Sequence, residues 1–172
     1  MEIIEMIKSR RSIRKYKAAP VEDEKLNKVL EAARWAPSAG NRQPWEFVVV
    51  KDPSIRRRIA DVAPYGGFIA DAPVMIAVVV DPRKDPTHYI EDGAIATTHI
   101  MLAAHALDLG TCWVGAFGSA YEDDAKRVLD VSPNLRVLSL VSLGYPAEER
   151  TSTRKDLREI EHYEQYGKRE AR

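Results

Sequence analysis

The stretch Ala36-Pro37-Ser38-Ala39-Gly40-Asn41-Arg42-Gln43-Pro44-Trp45-Glu46-Phe47-Val48-Val49-Val50 runs from the end of a helix into a strand. Pro37 lacks the N–H that a continuing helix needs, Gly40 opens backbone angles closed to other residues, and Pro44 launches an extended segment. Ser38, Asn41 and Gln43 are left presenting short polar groups between two structured elements. Such a loop serves as a binding element or as a plain helix-to-strand connection with turn chemistry.

Periodicity extends the pattern in both directions. Upstream, Leu26, Val29, Leu30 and Ala33 recur at helical spacing between Pro20 and Pro37, predicting a helix over 22–36. Residues 45–50 read as a strand. Asp52-Pro53 reads as an N-cap with proline at the first helical position, opening a helix over 53–62. The apolar, β-branched run 74–80 predicts a strand covered on both faces. Residues 89–109 form a long apolar helix, with Gly110 expected as its stop. A strand over 111–114, a helix over 122–129 and a strand over 135–143 follow. Asp123 and Asp124 are read as first-turn acids that suit the helix dipole.

Near the N-terminus, Ile3, Ile4, Met6 and Ile7 fall at helical spacing and lead into Arg10-Arg11-Ser12-Ile13-Arg14. Three guanidinium groups and a hydroxyl in five residues suit an anion, since arginine makes bidentate contacts with phosphate. A solvated charged face is the plainer reading, and Arg56-Arg57-Arg58 is expected to be one.

The two motifs, in this order, resemble the nitroreductase family of FMN-dependent oxidoreductases. The resemblance continues through Asp92-Gly93-Ala94-Ile95-Ala96, Thr111-Cys112-Trp113-Val114-Gly115-Ala116-Phe117, Val141-Ser142-Leu143-Gly144-Tyr145-Pro146 and Arg154. It implies an α+β fold with a central mixed, mainly antiparallel sheet flanked by helices. It also implies an intertwined homodimer with FMN at the subunit interface, and a single domain over 1–172 whose residues 148–172 form a C-terminal arm. By this resemblance Arg10, Ser12 and Arg154 hold the phosphate and ribitol, and Arg11 and Arg14 reach the phosphate or the pyrimidine edge. Pro37, Ser38, Ala39 and Asn41 come from the partner subunit. The backbone of Val114, Gly115 and Ala116 faces the ring, with Gly115 near N5 and no side chain acting as a catalytic group. Trp113 suits a place beside the flavin or in the core.

The chain departs from larger relatives in three respects. Residues 65–71 lack their lysine and asparagine, which leaves Arg14 alone to neutralise the N1 pole. Ser152 stands where a basic residue is usual, so the expectation is either a weaker phosphate grip or one in which Lys155 takes part. The chain is also shorter, so the cover over the substrate differs.

Composition narrows the remaining classes. With 172 residues, 45% hydrophobic and 30% charged, the chain suits one enzyme domain, and Lys plus Arg equals Asp plus Glu at 26 each, so nothing in the balance calls for nucleic acid or an anionic membrane. Cys112 is the only cysteine; it excludes an intrachain disulfide, is expected as a small buried hydrophobe, and suits a reducing cytoplasm. The first residues, with acidic Glu2 and Glu5 and no long apolar core, are unlike a signal peptide, and no apolar run reaches roughly 18 residues, so neither a leader nor a membrane span is expected. His88, His99, His105 and His162 lack metal-ligand spacing, so no metal site is expected. The resulting expectation is ping-pong transfer of hydride from NADH or NADPH through FMN to a nitroaromatic, quinone or similar acceptor. The alternatives are another flavin reaction such as enoyl reduction or dehalogenation, a non-catalytic FMN-binding or storage protein, and an anion- or RNA-binding module.

Overall fold

The computed structural model describes residues 2–169. Helix α1 (Ile3–Ser9) precedes α2 (Asp23–Arg34), β1 (Trp45–Val50), α3 (Pro53–Val62), β2 (Val74–Val80), α4 (Tyr89–Ala106), β3 (Gly110–Gly115), α5 (Glu122–Leu129), β4 (Arg136–Gly144) and α6 (Leu157–Ile160). The strands form one sheet in the order β1-β2-β4-β3, with every neighbouring pair antiparallel. Parallel pairing enters, among the described residues, at the isolated bridge between Ser12 and Thr111.

β2 lies in the middle and every residue of it is buried. Val74, Ile76, Val78 and Val80 join a core with Leu26, Val29 and Ala33 of α2 and Ala96, Ile100 and Ala104 of α4. Met75, Ala77 and Val79 face the opposite way and pack with Ile59 of α3 and Ala125 of α5. Side chains alternate across a strand, so a strand with helices on both faces must be apolar throughout. That is why residues 74–80 carry no polar position.

Two expectations are revised. Gly110 does not stop α4; the helix ends at Ala106, and Asp108 takes the left-handed turn at φ 62°. Gly110 opens β3 instead, where a Cβ would lie 2.8 Å from the Cβ of Ile13. Arg56 is not on a solvated face: it is 8% exposed and donates to the Lys51 carbonyl, because it lies one turn before the buried Ile59 and lays its aliphatic stem along the core. Arg57 and Arg58 are exposed as expected. Within residues 148–169, α6 opens on a capping box in which Asp156 accepts from the Arg158 N–H and Glu159 accepts from the Asp156 N–H. The last three residues of the expected arm, 170–172, lie outside the described residues.

α4 approaches the sheet through Gly93, where a Cβ would stand 2.6 Å from Val80 Cγ1 and 2.7 Å from Leu138 Cδ2. Gly93→Ala gains about 1 kcal/mol of helix propensity but must force α4 off the sheet, at a cost of about 1–3 kcal/mol. Net destabilisation by chemical denaturation is expected, and a stabilised variant would show that α4 does not rest on the sheet at this point.

Candidate functional site

After α1 the chain crosses to the free edge of β3. Ile13 N–H donates to Thr111 O at 2.9 Å, and the same segment is strapped to the exit of β4 by Lys17 N–H to Tyr145 O and Ala147 N–H to Lys15 O, both 2.9 Å. Glu148 completes the strap: its Oε1 accepts from Arg14 N–H at 2.6 Å and Lys15 N–H at 3.2 Å. The Arg14 N–H holds the Glu148 carboxyl below the usual carboxylate range, so the clamp stays charged at neutral pH. Tyr16, its phenol pushed up by burial, donates to Ile13 O at 2.6 Å from the other side.

This folding gathers Arg10, Arg11, Ser12 and Arg14 with Arg150, Thr151, Ser152 and Arg154 around a cavity of about 230 Å³. Five arginines line it and no carboxylate does. Arg10 Nη1 and Arg11 Nε are buried without a hydrogen-bond partner. Burial, with Arg154 and Arg11 close by, lowers the pKa of Arg10. Arg154 Nη1 donates to Ser152 Oγ at 2.6 Å, so Ser152 orients an arginine. Arg11 Nη1 donates to the carbonyls of Lys8 (2.6 Å) and Arg10 (2.8 Å), closing the C-terminal end of α1. Lys155 is exposed and does not line the cavity. Arg150, unforeseen from sequence, does; its pattern Arg150-Thr151-Ser152-Thr153-Arg154 carried the signal.

Arg14 is shared with a second cavity of about 520 Å³, lined also by Tyr65, Phe68, Cys112, Trp113, Val114, Gly115, Ser119 and Tyr121. The Arg14 guanidinium stands 5.8 Å from the Phe68 ring centroid. Trp113 is half-buried on this wall rather than in the core, whereas Cys112 is buried and burial pushes its thiol up. The backbone of β3 contributes too. Ala116 N–H donates to Leu138 O at 3.2 Å, and the register pairs Gly115 with Ser139 and Trp113 with Val141. Alternate residues of an antiparallel strand point their N–H and C=O away from the partner, so Thr111, Trp113 and Gly115 direct theirs off the free edge. Thr111 O is taken by Ile13 and Gly115 O by the Tyr121 phenol, while the outward N–H groups of Trp113 and Gly115 lie beside the cavity. Ala116 is buried with its N–H spent on β4.

The loop after α2 is held elsewhere. Ala39 N–H donates to both oxygens of the buried Asp92 on α4 (3.2 and 3.3 Å), Ser38 Oγ accepts from Gln43 N–H at 3.0 Å, and Arg42 pairs with Asp85 at 3.3 Å. Gly40, Asn41 and Gln43 all take positive φ (55°, 55° and 48°). Pro37, Ser38, Ala39 and Asn41 line neither cavity of their own chain.

The family model described as "Nitroreductase family" matches residues 7–64 and 62–145. A relative from Methanothermobacter thermautotrophicus, provisionally named NADH dehydrogenase/NAD(P)H nitroreductase, is 40% identical over 153 residues, covering 86% of this chain and 79% of that one. The chain belongs to the nitroreductase family. An FMN-dependent nitroreductase from Clostridium difficile superposes with a TM-score of 0.88 at 35% identity, over 95% of this chain and 99% of that one. A Parabacteroides distasonis structure, also provisionally named NADH dehydrogenase/NAD(P)H nitroreductase, gives a TM-score of 0.92 at 28% identity, over 95% and 98%. No group of side chains suited to a metal ion occurs among the described residues of this nitroreductase-family enzyme, nor any helix long and apolar enough to cross a membrane.

In this enzyme the loop from β3 to α5 is fixed by Glu122, which is 5% exposed. Its carboxylate accepts from Arg136 Nε and Nη2 (2.7 Å each), Gly118 N–H (2.8 Å) and Val137 N–H (3.2 Å). Burial raises its pKa, but these donors outweigh burial and hold it below the ordinary value. A depressed folded pKa stabilises fully above the unfolded value of about 4.5, and that contribution is lost as pH falls through the folded value. Glu122→Gln is therefore expected to lose roughly 2–4 kcal/mol near neutral pH, discounted for the 31% exposure of Arg136, and to flatten the stability curve below about pH 4.5. Denaturation across pH measures both; an acid limb identical to wild type would remove Glu122 from it.

Proposed function

We propose that this enzyme binds FMN and passes hydride from NADH or NADPH through it to a nitroaromatic, quinone or related acceptor in a ping-pong cycle, working as a cytoplasmic homodimer. One observation carries the reading: a cavity lined by five arginines and three hydroxyl side chains, with unpartnered donors at Arg10 Nη1 and Arg11 Nε, joins through Arg14 an aromatic-walled cavity along an open strand edge. Guanidinium donors gathered without a carboxylate in the lining suit an anion, and phosphate matches their bidentate geometry. The names of the Methanothermobacter and Clostridium relatives, with their NAD(P)H and FMN, support the same reading.

Arg10, Ser12, Arg150 and Arg154 are the residues to hold the phosphate and ribitol, with Ser152 orienting Arg154. Arg150 takes over the role expected of Lys155. Arg11 supplies field to the cavity while its Nη1 closes α1. Arg14 neutralises the pyrimidine pole, and Trp113 and Gly115 offer backbone along the ring, whereas Val114 lines the cavity with its own N–H and C=O turned to β4, contrary to the expectation for it. FMN, when bound, supplies the hydride acceptor. Pro37, Ser38, Ala39 and Asn41, idle in their own chain's cavities, are available to a second copy. Ile3, Ile4 and Ile7 of α1, Ile95 of α4, and Leu157 and Ile160 of α6 are exposed apolar side chains that such a dimer would cover.

The visible spectrum of the purified protein, followed by anaerobic addition of NADH and NADPH separately, tests the reading. A flavin spectrum bleached by either nucleotide is expected. Bound flavin that stays oxidised would favour storage or another electron donor, and failure of added FMN to bind would end the flavin reading. Arg154→Ala and Arg150→Ala are each expected to weaken FMN binding by roughly 1.5–3 kcal/mol, about 10- to 150-fold in Kd. An unchanged titration would remove that arginine from the site.

A further inference from the structure

Gly115 is exposed at the end of β3, and a Cβ there would meet only Trp113 Nε1, at 3.9 Å. Among the described residues beyond its chain neighbours no other atom lies within 4 Å of that position, and Gly115, the last residue of β3, lines the aromatic cavity. The peptide after it is tied to β4, where Ala116 and Phe117 N–H both donate to Leu138 O at 3.2 Å. Among the described residues, the one side-chain hydrogen bond to Gly115 comes from Tyr121, whose phenol donates to the Gly115 carbonyl.

Tyr121 is itself firmly seated. It is the N-cap of α5, its ring packs on the core beside Val114 and Ala125, and the next residue is the buried Glu122. The Glu122 carboxylate ties Gly118 N–H to Arg136 and Val137 N–H of β4, so the loop carrying Tyr121 cannot drift relative to the sheet. Burial raises the phenol's pKa, which keeps it a neutral donor at physiological pH.

We propose that Tyr121 is a positioning residue: by holding the Gly115 carbonyl on the open side of the last β3 peptide, whose Ala116 N–H is held by Leu138 on the other side, it keeps the strand end from fraying and so steadies the outward Gly115 N–H toward the cofactor. This inference rests on the flavin reading above. A fixed N–H donor favours oxidised flavin, whose N5 accepts, over reduced flavin, whose N5 carries hydrogen. Releasing it raises the midpoint potential.

Tyr121→Phe keeps the ring and removes only the donor. In the apo protein, hydrogen exchange at the Ala116 and Phe117 amides is expected to speed at least tenfold. In the FMN-loaded protein, the midpoint potential is expected to rise by about 30 mV, the equivalent of tenfold in relative affinity for the two redox states of a two-electron couple. Unchanged exchange, or an unchanged potential with FMN bound, would overturn the proposal. Wild-type protein that binds no FMN would overturn the flavin reading instead, and the exchange measurement on apo protein reads the Tyr121 tether separately.

Discussion

The 2.9 Å hydrogen bond from Ile13 N–H to Thr111 O delivers every N-terminal site residue to the sheet. β3 is an edge strand, and its outward backbone groups need partners. Residues 12–13 satisfy the first of them, at Thr111, and stop there. The edge beyond Thr111 is left open while Arg10, Arg11 and Arg14 hang on either side of the contact. A longer pairing would close the aromatic cavity with main chain. Gly110 permits the approach, since any larger residue there would collide with Ile13.

Electrostatics then decides what the site is for. Two other cations near the interior meet carboxylates: Arg136 meets Glu122, and the mostly buried Lys126 has Asp123 at 3.4 Å, whereas Arg56 meets a main-chain carbonyl. Around the smaller cavity the ratio is reversed. Glu148 is the nearest acid, and it is committed to two backbone N–H groups and to Arg150. Arg10 and Arg11 are half-buried and Arg14, Arg150 and Arg154 exposed, so like charges are crowded at the protein surface, where an anion that joins them gains contacts with several at once.

Most of the fold was legible because its elements are locally consistent. Val74–Val80, Pro53–Val62 with its Asp52 cap, and Glu122–Leu129 stand where periodicity and capping put them. The failures share one cause, which is that long-range packing overrode a local rule. Gly110 reads as a helix stop, but its place is set by Ile13, nearly a hundred residues earlier in the chain. Arg56 reads as surface because it sits among arginines, but only one of the three is on the core side of α3. In the site, the motif Arg10 to Arg14 and Arg154 were visible as residue types, whereas Arg150 and Tyr121 were not. Their roles depend on a tail and a loop whose positions come from Glu148 and Glu122, and neither glutamate belongs to a motif.

The same dependence explains how the loop after α2 is built. Asp92 and Asp85 are both buried carboxylates that spend themselves on the main chain and an arginine around that loop, and three of its residues hold positive φ. Left-handed angles at Asn41 and Gln43 cost energy, and burying a carboxylate costs more. Both are retained for a loop that touches neither cavity of its own chain. Exposed Ile3, Ile4 and Ile7 leave α1 with an uncovered apolar face, so the chain has surface to bring to a second copy. The homodimer proposed above would give this rigid loop a target in a second copy, and in an isologous contact the same surface serves both copies, so it would do so twice.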